Sequence, residues 1–153
     1  MADQICLCVN MAAAIIPASV PDGKKYLFLS APGRKAVTPT HIFKIAPKDA
    51  WESARQSRAW PGSADDQRDG FIHFSTAAQL EGTLARHFRG REGLIIARFA
   101  VAEFGPELRW EPARGGALFP HLYALLDPAR ADCETLLQIS ADGTHLLPDW
   151  ARE

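Results

Sequence analysis

The sequence predicts one soluble domain of mixed helix and strand, and three patterns carry that expectation. Residues 71–75 and 119–126 alternate apolar and polar side chains with a period of two, as strands do. Thr76 and Gln79 make a capping-box pattern, after which Leu80, Leu84 and Phe88 recur at helical spacing until Gly90. Residues 94–101 form a nearly continuous apolar strand pattern interrupted by Arg98. With 153 residues, 47% hydrophobic and 23% charged, a chain of this size buries roughly 70% of its unfolded surface, so a core needs no staples.

In chain order, residues 1–40 mix Ala-, Pro- and Gly-rich pieces without a sustained period, and 25–30 is the single strand candidate there. This stretch reads as a mobile N-terminal extension, or as residues upstream of the true start, leaving 41–153 as the domain. Residues 41–45 read as a short strand. Pro47 suits the first turn of a helix whose apolar side is Trp51 and Ala54, ending near Arg58. Residues 61–66, Pro-Gly-Ser-Ala-Asp-Asp, read as loop, and Asp69-Gly70 introduces the 71–75 strand. A short strand over 108–111 leads into the turn at Gly115-Gly116. A last hairpin around Asp142-Gly143 spans 136–147.

Lys plus Arg total 17 against 18 Asp plus Glu, so bulk electrostatics argue against a large nucleic-acid partner and favour a small ligand. Cys6, Cys8 and Cys133 show no zinc spacing, and their odd number argues against a closed disulfide framework, which fits a reducing cytoplasm. Asp3 in the n-region, Asn10 within the apolar stretch and the lack of Lys or Arg before Lys24 argue against a signal peptide. No segment approaches the roughly 18 uninterrupted apolar residues of a membrane span. Oligomeric state is left open.

The chemistry concentrates in two places. Residues 109–123 string Arg109, Glu111, Arg114, His121 and Tyr123 around the double glycine. Glycines let backbone amides approach an anion, and the flanking cations suit one. On the 71–75 strand His73 and Ser75 share a face, as His121 and Tyr123 do on theirs. If the two strands are neighbours they line one cleft; otherwise each imidazole merely satisfies a nearby backbone carbonyl. His87 and His145 read as surface residues, and His41 as the first residue of its strand. His73, His121 and Asp66 or Asp69 could be drawn as a metal site, but no tight ligand motif supports it and no metal is expected. Ser75 with His73 is a weak nucleophile and base pair, and Cys133 has no evident activating partner.

Lys44-Ile45, Trp51, Asp69-Gly70-Phe71-Ile72-His73-Phe74-Ser75-Thr76, Gln79, Thr83, Trp110-Glu111-Pro112, Arg114-Gly115-Gly116 and Phe119-Pro120-His121-Leu122-Tyr123 resemble domain-of-unknown-function family 952 over roughly residues 41–130. The resemblance implies an α+β domain related to the ADP-ribosyltransferase fold, a split antiparallel β-sheet with flanking helices and a cleft that holds NAD in relatives. Ala113, Phe43 and Ala124 depart from the family pattern, which usually has Ser, Tyr and Gly there. A wider, partial similarity is to RNA 2′-phosphotransferases. Their catalytic arginine would fall on Asp69, and their RNA-binding lobe could not fit in forty residues.

ADP-ribosyl transfer needs pyrophosphate anchors, a polar group orienting the nicotinamide ribose and a carboxylate. With NAD as the expected ligand, His73, Glu111 and His121 are the catalytic candidates. Ser75, Thr76, Arg114, Gly115, Gly116 and Tyr123 are the cofactor-binding candidates, with Arg114 and the two glycine amides on phosphate and Tyr123 on a ring. The expectation is a cytoplasmic, nucleotide-binding, ADP-ribosyltransferase-like protein. The alternatives are a non-catalytic module that senses a nucleotide or anionic metabolite, and a structural domain whose polar residues only satisfy the sheet.

Overall fold

A computed structural model describes residues 39–113 and 115–152. They form β1 (His41–Pro47), α1 (Lys48–Ser57), α2 (Ala64–Asp69), β2 (Ile72–His73), α3 (Ala77–His87), β3 (Leu94–Ala100), β4 (Leu108–Pro112), β5 (Leu118–Leu122), β6 (Cys133–Leu136), β7 (Gln138–Ile139) and β8 (His145–Leu146). The class is α+β, with antiparallel strand pairs in the orders β1-β3-β6, β2-β5-β4 and β7-β8. The strand candidate at 25–30, with nearly all of the N-terminal extension, lies outside the described residues, as does Arg114.

The apolar run of β3 is explained by a sheet covered on both faces. Ile42 and Ala46 of β1 join Ile95, Ala97 and Phe99 of β3 in a core closed by Trp51 and Ala54 of α1. Phe43 and Ile45 join Leu94 and Ile96 on the other face, closed by Leu80 and Leu84 of α3. Register fixes this division, since Ile42 sits opposite Phe99 and Ile45 opposite Ile96. The two larger sheets meet where Phe43 and Ser75 exchange backbone hydrogen bonds of 2.8 and 3.0 Å. There β1 of one sheet touches the residues just after β2 of the other.

Thr76 and Gln79 take the capping-box arrangement at the start of α3, with Gln79 Oε1 accepting from the Thr76 N–H at 2.9 Å. Thr76→Ala is expected to cost about 0.5–2 kcal/mol of stability in a urea titration, with no change in the denaturant slope.

Four expectations need correction. Residues 61–66 are not all loop. Ser63 caps α2, accepting from the Asp66 N–H at 3.2 Å while Asp66 Oδ2 accepts from the Ser63 N–H at 2.7 Å. The Pro-Gly pair masked this Ser-x-x-Asp capping pattern. The strands at 71–75 and 119–126 are shorter than their alternation, ending at His73 and Leu122. His145 is buried rather than on the surface, because its ring bonds the carbonyl of Arg91 at 2.8 Å, 54 residues away in sequence. Cys133, buried at the start of β6, is disulfide-bonded. An odd cysteine count excludes a fully paired set but not one bond; Cys6 and Cys8 lie outside the described residues.

Candidate functional site

Strand pairing assembles the site. His73 of β2 is the cross-strand partner of His121 of β5, and His121 is in turn opposite Arg109 of β4. Residues directly opposite one another project to one face, so three strands bring two imidazoles and a guanidinium together. Their ring centroids lie 5.1 Å apart, edge to face at 70°. Phe71 fills the space beside them: it stacks on His121 at 4.2 Å and lies 4.7 Å from His73 and 5.2 Å from Tyr123. The Arg109 guanidinium covers the outer Tyr123 ring at 4.4 Å. A groove of about 300 Å³ opens beside Phe71 and Tyr123, with Pro61, Gln67 and Leu125 along its walls.

Each imidazole is backed by a carboxylate through Nδ1. Asp66 Oδ1 lies 2.7 Å from His73 Nδ1 and accepts from the His73 backbone N–H at 2.9 Å. Its other oxygen accepts from Lys44 Nζ at 2.7 Å, and that ammonium also donates to the His73 carbonyl at 3.1 Å. Lys44 and Asp66 are both buried, at 5% and 3% exposure. Burial alone would raise the Asp66 carboxyl, but hydrogen bonds from His73 and the charge of Lys44 outweigh it and hold the group far below the ordinary range. Burial lowers the Lys44 ammonium, against the pull of Asp66.

The second pair is His121 Nδ1 to Glu111 Oε2 at 2.8 Å, with the Tyr123 hydroxyl donating to the same oxygen at 2.9 Å. The His121 hydrogen bond is the main cause of a lowered Glu111 carboxyl, and desolvation with the Glu111 charge raises the Tyr123 phenol. Among the described residues, His121 Nε2 has no hydrogen-bond partner.

The sign of the Asp66 shift predicts an acid limit to stability. The folded carboxyl sits below its unfolded value of about 3.9, so the unfolded state binds more protons in between. Stability from this group is therefore fully present above the unfolded value and is lost as pH falls toward the folded one. Thermal unfolding from pH 7 to pH 2 is expected to show the drop starting below about pH 5, and Asp66→Asn is expected to flatten that part of the curve.

Of the sequence candidates, His73, His121, Glu111 and Tyr123 come together. Ser75 and Thr76 do not join them: the Ser75 hydroxyl pairs with Thr83 Oγ1 at 3.0 Å, and Thr76 caps α3. The pairing of Ser75 with β1 ends the regular alternation with His73. Gly115 and Gly116 form an exposed turn with φ of 105° and 83°, but the Gly116 N–H is committed to the Ala113 carbonyl at 2.9 Å. The Gly115 amide has no hydrogen-bond partner among the described residues. Sequence reasoning missed Asp66 and Lys44 as a buried pair and Phe71 as the aromatic centre. The Ser63-x-x-Asp66 cap was the signal that could have placed Asp66. Among the described residues no group of three or more His, Cys, Asp or Glu is arranged to hold a metal, and no helix is long and apolar enough to cross a membrane.

The strands and helices that carry this face are those matched by a family model, "Protein of unknown function (DUF952)", over residues 45–132. The chain belongs to the DUF952 family. The DUF952 chain is similar to the crystal structure of protein CC0527 from Caulobacter crescentus, with 39% identity and a TM-score of 0.70 over 73% of this chain and 98% of that one. The solution structure of the same bacterial protein matches at 40% identity and a TM-score of 0.63, over 69% and 90%. No curated protein matches the sequence.

Proposed function

We propose that this face binds NAD or a closely related nucleotide and that the protein is an ADP-ribosyltransferase-like transferase. The observation that carries the reading is the convergence of His73, His121, Phe71, Tyr123 and Arg109 on one face, next to a groove. The split arrangement of two three-stranded antiparallel sheets is consistent with the fold such enzymes use. The donor set fits the ligand's chemistry. Phe71 and Tyr123 offer aromatic faces to a heteroaromatic ring, and Arg109 offers charge to a diphosphate.

NAD, when bound, supplies a ribose whose bond to nicotinamide is the one that breaks. The protein's share is positional and electrostatic. Nε2 of His121 orients ligand hydroxyls, and Glu111 fixes that imidazole through Nδ1 and concentrates negative charge where positive charge develops. The groove beside Phe71 and Tyr123 holds the ring. Arg114 and the Gly115 amide would complete the phosphate end.

A non-catalytic nucleotide sensor is the second reading, favoured by one observation. Both Glu111 oxygens are already hydrogen-bonded, to His121 and Tyr123, as in a site built to stay rigid. Titration calorimetry with NAD, together with an assay of nicotinamide release, separates the readings. Binding with release supports the transferase, binding alone the sensor, and no heat with any nucleotide removes both. The proposal includes a cytoplasmic setting, tested by cell fractionation; recovery from an exported fraction would instead match the Cys133 disulfide.

A further inference from the structure

The neutral imidazole has one N–H, and two carboxylates compete for that of His73. Asp66 is 2.7 Å from Nδ1, within hydrogen-bond range, whereas Asp69 is 3.5 Å from Nε2, outside it. Asp69 is moreover engaged by Arg68, which donates to it through Nε at 2.8 Å and Nη2 at 3.1 Å. Asp66 is the better acceptor for a further reason: it cannot turn away. Its two oxygens are held by Lys44 Nζ, the Ser63 N–H and the His73 N–H, all on a side chain 2% exposed. The Lys44 ammonium completes the clamp by donating to the His73 carbonyl, so side chain and backbone of one residue are gripped by the same ion pair.

We infer that Asp66, locked by Lys44, is a positioning residue that keeps the His73 proton on Nδ1 and turns a lone pair at Nε2 toward the ligand face. The inference rests on the proposed transferase reading and adds the base to it: Nε2 of His73 takes the proton of an acceptor hydroxyl or water as that oxygen bonds to the ribose carbon, whose bond to nicotinamide breaks, nicotinamide leaving with the electron pair. A second-layer carboxylate that sets the tautomer of a working imidazole is a general device. Here the groups facing the ring are Asp66 and Asp69 from α2, His121 from β5, and Phe71. Glu111 acts on this environment through its hydrogen bond to His121.

The test needs no substrate. ¹⁵N–¹H correlation spectra of the intact protein report which ring nitrogen of His73 carries the proton once the ring is neutral. The expected result is a single Nδ1–H tautomer; an Nε2–H tautomer, or a ring still charged at pH 8, overturns the inference. Removing both charges together with Lys44→Met/Asp66→Leu avoids stranding a buried ion, and the single tautomer is expected to be lost in that variant. Retention of Nδ1–H there would show that something other than Asp66 sets it. If the variant does not fold, the spectrum of the unaltered protein still decides. The two failures are distinguishable: Nδ1–H without nucleotide binding sinks the proposed function, and nucleotide binding with Nε2–H sinks the positioning role.

Discussion

Asp66→Ala lowers the free energy of unfolding by about 3–5 kcal/mol, because it strands the Lys44 ammonium in a site where that group is 5% exposed. The same change removes the side chain that closes the α2 capping box and the acceptor of the His73 N–H, so the loss belongs at the upper end of that range. Urea titration of the single variants and of Lys44→Met/Asp66→Ala makes the argument quantitative. If the ion pair is the cause, the double variant is more stable than the sum of the singles by about 0.5–3 kcal/mol. Additive losses would mean that packing and capping carry the effect and that the pair contributes nothing of its own.

Under the proposed function, His73→Ala reduces nicotinamide release by about 10²–10⁴-fold, the range expected when a general base is lost. The affinity for NAD measured by calorimetry changes much less, because the ring-binding surfaces of Phe71 and Tyr123 remain. The ratio of the two effects is the informative quantity. Equal losses in binding and turnover would show that His73 holds the ligand rather than moving a proton. His73 is partly exposed, unlike Asp66, and Asp66 keeps Lys44 as its partner when the ring is removed, so no buried charge is stranded and the variant is expected to fold.

Much of this was legible in the sequence where the cause is local. The Thr76 and Gln79 cap with Leu80 and Leu84 beyond it defines α3 through contacts within a few turns, and it is present as read. Period-two alternation placed His121 beside Tyr123 on one face. The length of the same strand was overread, because alternation persists in residues that the sheet does not pair. His145 shows the opposite limit: its burial depends on the Arg91 carbonyl, which no window around His145 contains.

The sequence by itself determined the family, the mixed helix and strand content, and the two segments whose polar residues face each other. These follow from side-chain periodicity and from motifs that read along the chain. Tertiary structure decided that His73 and His121 are cross-strand partners, that Phe71 packs beside them, and that Asp66 with Lys44 lies behind one imidazole while Glu111 with Tyr123 holds the other. The reason is physical. A hydrogen bond between Lys44 and Asp66 spans 22 positions, and between Trp51 and Glu134 it spans 83. Such pairs form only when sheet register brings distant strands together, and register is set by the apolar core as a whole rather than by the polar residues it positions.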